Sequence, residues 1–169
     1  MSQKYSFQDI NEYNVIKVSF SLAASTTYLL KYFILLIALP VLLKLPGMSD
    51  ADKAVSPYIE QFAQNHLNLL LLASSIPALF VFVAMLKRVP TTLSPFLRKI
   101  WQNGRLILLI SVFIDLGLLA LFLLTGVKKL NETLIVILYV DALIVWFLFK
   151  SKRLKDTFAE FPEYKKPAK

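Results

Sequence analysis

The chain has 169 residues, of which 57% are hydrophobic, with no cysteine and a formal net charge of +8. Soluble domains average about 45–50% apolar residues, so the composition indicates a membrane protein, and the lack of cysteine excludes disulfides and thiol catalysis. The Lys and Arg residues lie at the ends of apolar runs and not on an aromatic-rich stripe, which argues against a nucleic acid partner.

We predict an all-α membrane protein: a four-transmembrane-helix bundle with a short amphipathic cytoplasmic helix between spans 2 and 3. Residues 1–17 lack the basic region and cleavage site of a signal peptide, so the first apolar segment is expected to stay in the protein. The predicted spans can cross a hydrocarbon core of about 30 Å. They form a single integral membrane domain, 1–169, with spans at about 18–43, 67–86, 106–126 and 133–149 and a cytoplasmic tail at 150–169.

The first span carries Lys31 and Pro40, and an interfacial helix is the alternative interpretation for it. The second span has Ser74, Ser75 and Pro77 near its centre. Proline leaves the carbonyl of the residue four positions earlier without its helical donor, and nearby hydroxyls often bond such groups. We therefore predict a structural kink at Pro77, with a substrate site as the alternative.

The loop from Lys87 to Arg105 contains five basic residues and no acidic one. Within it, Ser94-Pro95 resembles a helix start, and Gly104 is predicted to end that helix. One helix face is apolar and the other is basic, which predicts a helix on the inner membrane surface; a protein-binding helix is the alternative. The apolar positions are Phe96, Leu97, Ile100 and Trp101, opposite Arg98, Lys99 and Gln102.

Basic residues also predict the orientation. In the four-span arrangement, fourteen Lys and Arg residues fall on the side of the termini and of the loop after span 2, and four fall on the other side. The positive-inside rule places the first side, and both termini, in the cytoplasm. The basic residues predicted to meet anionic headgroups of the lipid bilayer are Lys87, Arg88, Arg98, Lys99, Arg105, Lys150, Lys152 and Arg153.

Three charged residues fall near the middle of separate spans. Asp115 is ten residues from Arg105, a depth of about 15 Å at the helical rise, and Asp141 is nine residues from Lys150, or about 13 Å. Lys31 also lies mid-span. Each such charge opposes insertion by about 2.5–3.5 kcal/mol. We therefore predict that Lys31, Asp115 and Asp141 meet inside the bundle.

Two carboxylates and one ammonium leave one charge unmatched unless an aspartate is protonated or a cation binds. One hypothesis is structural: the cluster joins the helices, and a protonated aspartate bonds Ser74, Ser75 or the Ala73 carbonyl, with Ser111 on the face of Asp115. The other hypothesis is a proton or sodium site of a small transporter. We favour the first because four spans leave little room for a pathway.

Catalytic chemistry has little support in the sequence. The four glycines form no phosphate-binding loop, and the lone His66 has no second histidine or cysteine to complete a metal site. We expect no catalytic residue, metal or cofactor and no enzymatic activity, although an intramembrane enzyme using Asp115 and Asp141 stays open.

The segments NVIKVSFSL, YLLKYFILL, SIPALFVFVAMLKRVP, IWQNGRLILL and LYVDALIVWFLFKSKRLKDTFAEFP together resemble the YfeZ-like family of short bacterial inner-membrane proteins of unknown function. The resemblance runs from about Asn14 to Pro162, chiefly at Lys31, Pro77, 101–105, Asp141 and the SKRLKDTFAEFP ending. It implies a four-span inner-membrane protein of a Gram-negative bacterium and no particular activity.

The predicted role is that of a non-enzymatic accessory subunit or assembly factor. Its partner is expected to be another membrane protein or a second copy of the chain. A small proton- or sodium-coupled transporter using Asp115 and Asp141 is the alternative.

Overall fold

The computed structural model describes residues 9–13, 15–38, 69–90 and 94–162, and in these residues the chain is helical with no strand. Parts of the predicted spans and tail, at 39–43, 67–68 and 163–169, lie outside the described residues, as do Pro40 and His66. The described residues form seven α-helices: α1 (Phe20–Leu29), α2 (Lys31–Phe33), α3 (Leu72–Leu86), α4 (Pro95–Gln102), α5 (Gly104–Leu124), α6 (Glu132–Lys150) and α7 (Lys152–Ala159).

The helices α5 and α6 correspond to the third and fourth predicted spans. With 21 and 19 residues, both are long and apolar enough to cross a membrane. Gly126, at φ +70°, ends the turn after α5 in a left-handed conformation that glycine adopts without strain. The Asn131 side chain begins α6 by accepting a hydrogen bond from the Leu134 amide at 2.9 Å.

The first predicted span is bent and not continuous. The axis turns by 54° between α1 and the residues that follow Leu30, where a π-helical turn, Ile34–Ala38, extends α2. At the break, the Ser75 hydroxyl donates to the Leu29 carbonyl at 2.8 Å. If the bent pair counts as one span, the described residues contain three candidate spans, and otherwise two.

The helix α3 occupies the region of the second predicted span. It has 15 residues, a length of about 22 Å, which is less than a hydrocarbon core of about 30 Å. A 3-10 turn, Leu69–Leu71, precedes it, and the helix continues through Pro77. A four-span bundle therefore stays a prediction.

The core lies where α3 packs against α5 and α1, and small residues of α3 allow this close packing. α6 packs mainly against α5, so most of its surface is exposed. The buried core residues contributed by α1, α3 and α5 include Leu22, Leu29, Ala78, Val81, Ala84, Leu108 and Val112.

The predicted amphipathic helix is present as α4, but its apolar residues do not all face one surface. Ile100 and Trp101 are buried in the protein, whereas Phe96 is 62% exposed. Gly104 does not end this helix as predicted; it begins α5 after a single residue, Asn103. The apolar face of α4 therefore serves partly as protein core, which the membrane-surface interpretation did not anticipate.

Arg88 is buried, contrary to the prediction of a membrane-surface role. Its guanidinium donates to the carbonyls of Ile16 at 2.7 Å and Glu160 at 3.0 Å, and lies 4.7 Å from the centre of the Trp101 ring. The Trp101 indole also donates to Glu160, at 2.9 Å. Burial lowers the pKa of Arg88 to about 10, so the side chain is still a cation at neutral pH.

Several other basic residues make contacts, and several are exposed. Arg105 donates to the carbonyls of Leu148 at 2.7 Å and Phe149 at 3.0 Å, so it caps the end of α6. Arg153 pairs with Asp9 at 2.9 Å, and Arg98 lies over the Phe161 ring at 5.3 Å. The exposed members of the predicted set are Lys87, Lys99, Lys150 and Lys152.

The region predicted as a cytoplasmic tail contains the packed helix α7. Leu154 and Phe158 are buried in the core together with Phe161. The helix begins at Ser151, whose hydroxyl accepts from the Leu154 amide at 3.2 Å. This part of the chain is therefore an integral part of the fold.

Candidate functional site

The three charged residues predicted at mid-span lie together between α2, α5 and α6. The Lys31 ammonium forms a hydrogen-bonded ion pair with Asp115 Oδ2, and its Nζ lies 3.4 Å from Asp141 Oδ1. The side chains are 13%, 1% and 0% exposed, respectively. Three separate helices are thus connected through one ammonium group.

The break after Leu30 determines how Lys31 reaches this position. Lys31 is the first residue of α2, directly after the bend, while Asp115 and Asp141 lie in the middle of regular helices. Both helices are uninterrupted, and both carboxylates approach the same Lys31 ammonium. The bend directs the lysine from the first apolar segment towards both.

Two tyrosines complete the surroundings of the ammonium. Lys31 Nζ lies 4.2 Å from the centre of the Tyr28 ring and 4.7 Å from that of Tyr32, distances at which a cation is attracted by an aromatic face. Sequence reasoning did not identify either tyrosine. The spacing of Tyr28, three residues before Lys31 and so on the same helical face, was the available signal.

The Tyr28 hydroxyl also reaches α6, where it donates to the Ile137 carbonyl at 3.3 Å. Three buried oxygens have no hydrogen-bond partner among the described residues: Asp115 Oδ1, Asp141 Oδ2 and the Tyr32 hydroxyl. Buried polar groups are costly unless they are bonded. The site therefore has unused acceptor capacity on both carboxylates.

The predicted supporting serines do not bond the carboxylates. The hydroxyl of Ser74 donates to the Leu71 carbonyl at 2.8 Å, that of Ser75 to Leu29, and that of Ser111 to the Ser74 carbonyl. These hydroxyls connect backbone segments of α1, α3 and α5. The structure therefore does not contain the expected hydrogen bond between an aspartate and Ser74 or Ser75.

Pro77 lines an apolar groove. The groove has a volume of about 330 Å³ between α3, α4 and α5. Among the described residues, no group of three or more His, Cys, Asp or Glu side chains is placed to hold a metal ion. The groove is lined by Ile76, Pro77, Phe80, Phe96, Ile100, Ile107 and Ile110.

Comparison with known proteins identifies a family without a known activity. The model of a family described as "Protein of unknown function (DUF2919)" matches residues 57–160, more than half of the chain. The match includes both aspartates and excludes Lys31. No curated protein and no solved structure matches the chain. The chain therefore belongs to the DUF2919 family of proteins of unknown function.

Proposed function

We propose that this protein is a non-enzymatic, multi-pass inner-membrane protein that serves as an accessory subunit or assembly factor for another membrane protein. The observation that carries the proposal is the enclosure of Lys31. Its ammonium is surrounded by Asp115, Asp141, Tyr28 and Tyr32 of the same chain. A charge whose partners all come from its own chain is suited to joining helices.

The proposed membrane arrangement has the four spans predicted above, with both termini in the cytoplasm. Two or three apolar helices of sufficient length support membrane association. The excess of basic residues in the loop after span 2 and after α6 supports the orientation. Within its family, we place the chain in the YfeZ-like group on the segments quoted above.

A face of α6 supports an accessory role. Val136, Tyr139, Leu143 and Trp146 recur at helical spacing and are each 48–65% exposed. In a bilayer such a face contacts lipid or a helix of another protein. We propose that it contacts a partner helix, because among the described residues α6 packs mainly on α5.

Mild extraction of the tagged full chain from native membranes tests this role. We expect a second membrane protein to co-purify in fixed ratio, and we expect Tyr139→Ala with Trp146→Ala to reduce its yield. Phe113→Ala is the matched control, since Phe113 is an exposed aromatic on α5. Recovery of the chain alone, or an equal loss with the control, would contradict the proposal.

The lack of native cysteine makes the orientation directly measurable. Single cysteines at the exposed positions Lys99, Lys152 and Lys129 report accessibility to an impermeant thiol reagent. In intact spheroplasts we expect labelling at 129 and protection at 99 and 152. Equal labelling at all three positions would exclude the proposed topology.

A small proton- or sodium-coupled transporter is the second candidate. The observations that favour it are the broken first span beside Lys31 and the unbonded oxygens of both aspartates, since broken helices often line ion sites in transporters. A pH- or sodium-dependent flux in proteoliposomes, abolished by Asp141→Asn, would support transport. Absence of flux would contradict transport and leave the accessory role as the proposed function.

A further inference from the structure

The charges in the cluster do not balance when all three groups are ionised. Asp141 is faced by the titratable groups Tyr28 of α1, Lys31 and Tyr32 of α2, and Asp115 of α5. Among these, Lys31 is the one cation. An ionised carboxylate in an apolar interior is strongly disfavoured without its own counter-charge, and it then takes up a proton.

The two aspartates are not equivalent. Asp115 has the close hydrogen bond from Lys31, and the Tyr32 ring lies beside the same ammonium, its centre 4.7 Å from Lys31 Nζ. Asp141 Oδ1 is 3.4 Å from Lys31 Nζ, and its other oxygen has no partner among the described residues. One oxygen of each aspartate has no partner among the described residues, so the difference between the two is the closer hydrogen bond from the ammonium to Asp115, which favours the ionised form of Asp115.

The surroundings of Asp141 include an acceptor. The Tyr28 hydroxyl uses its proton on the Ile137 carbonyl, so the lone pairs of its oxygen remain available. Tyr28 and Asp141 lie beside the same ammonium, since Lys31 Nζ is 4.2 Å from the centre of the Tyr28 ring and 3.4 Å from Asp141 Oδ1. A protonated Asp141 therefore has a place to donate its own O–H.

We propose that Asp141 holds an exchangeable proton, while Lys31 is an ammonium and Asp115 a carboxylate. The inference rests on the membrane placement proposed above, which keeps water from the cluster. The proton comes from bulk water when α6 packs onto the other helices, and it returns there when the helices separate. The cluster is then electrically neutral, and it is a proton-binding site in addition to a contact between helices.

Infrared absorption of the full chain in lipid nanodiscs at neutral pH tests this assignment. Exposed carboxylates are ionised there, so a carbonyl band of a protonated carboxylic acid reports the cluster. We expect the band in the unmodified protein and its loss in Asp141→Asn, which has nearly the same shape as the neutral acid. Lys31→Leu should roughly double the band area, because both aspartates then become neutral.

Two tyrosine variants identify which aspartate carries the proton. Tyr28→Phe should shift the band, since it removes the acceptor beside Asp141, and Tyr32→Phe should leave its position unchanged. The opposite pattern would assign the proton to Asp115 and overturn the proposal.

Other outcomes also overturn it. A missing band, or a band that appears when sodium is replaced by choline, would mean that another cation neutralises the second carboxylate. This spectrum does not depend on co-purification of a partner. A spectrum that contradicts the proton on Asp141 is therefore distinguishable from a result that contradicts the accessory role.

Discussion

The Phe158 ring occupies the space that a β-carbon on Gly104 would need. A Cβ built at position 104 would lie 2.8 Å from Phe158 Cδ1, closer than a normal contact. Phe158 belongs to α7 and Gly104 begins α5, so the missing side chain allows the last described helix to pack directly on the start of a candidate span.

Gly104→Ala should therefore destabilise the protein by about 1–3 kcal/mol, the usual cost of overpacking. Gly117→Ala is the matched control, because it lies in the same helix and no described atom lies within 4 Å of the place that its new methyl group would take. There, alanine should be neutral or stabilising by about 0.5–1 kcal/mol. Thermal unfolding of the two variants in the same detergent compares them, and equal midpoints would contradict the packing argument.

Lys31→Leu should destabilise the folded protein by up to about 3–5 kcal/mol, because it removes one partner from a buried ion pair. Combining it with Asp115→Asn should recover part of the loss, since the second change removes the carboxyl group that must otherwise take up a proton when Lys31 is absent. Unfolding in mixed micelles with increasing denaturing detergent measures both. Full stability of the single variant would show that the cluster does not join the helices.

Arg88→Leu should weaken the packing of α7 on the rest of the protein. The side chain donates to carbonyls of Ile16 and Glu160, and hydrogen bonds to a charged group contribute about 1.5–3 kcal/mol each. We expect faster hydrogen exchange at the amides of Leu154 and Phe158. Arg88→Lys should rescue little, because an ammonium lacks the planar set of donors.

Lys99→Leu is the control for loss of a positive charge in the same loop, since Lys99 is exposed. It should leave the rate of hydrogen exchange at the amides of α7 unchanged. Equal acceleration in both variants would point to the charge of the loop and not to the buried contacts of Arg88.

Arg105→Met should loosen the end of α6. Without the guanidinium, the carbonyls of Leu148 and Phe149 lose their donor, at a cost of about 1 kcal/mol for a partly exposed contact. Limited proteolysis near Ser151 should become faster. The Lys150→Met variant loses an exposed charge in the same region, and it should be cleaved at the same rate as the unmodified protein.

The meeting of Lys31 with the aspartates followed from sequence because helical rise converts residue counts into depth. That reasoning needed only the ends of the spans, which Arg105 and Lys150 mark well. It did not reveal the bend at Leu30. At the bend, the Leu29 carbonyl accepts a hydrogen bond from Ser75, which is 46 positions away, and local sequence patterns do not predict such a contact.

Arg88 and Trp101 were misplaced for a related reason. A basic residue and an aromatic at the end of an apolar run are also typical of a membrane interface. Their actual partners are distant: Ile16 and Glu160 are each 72 positions from Arg88. The helical spacing of Leu154, Phe158 and Phe161 is typical of an apolar helix face, but it does not indicate that Trp101 and Gly104 cover that face.

The position of Asp141 on the last long helix has a consequence for biosynthesis. In the proposed membrane arrangement, Lys31 and Asp115 are present in a one-to-one ratio while the ribosome has completed only the residues before α6, so the nascent bundle carries no surplus acid at their level. The surplus arrives with the final hydrophobic segment leaving the translocon. Lateral docking of that segment is then the step at which the young protein must exchange a proton with its aqueous surroundings.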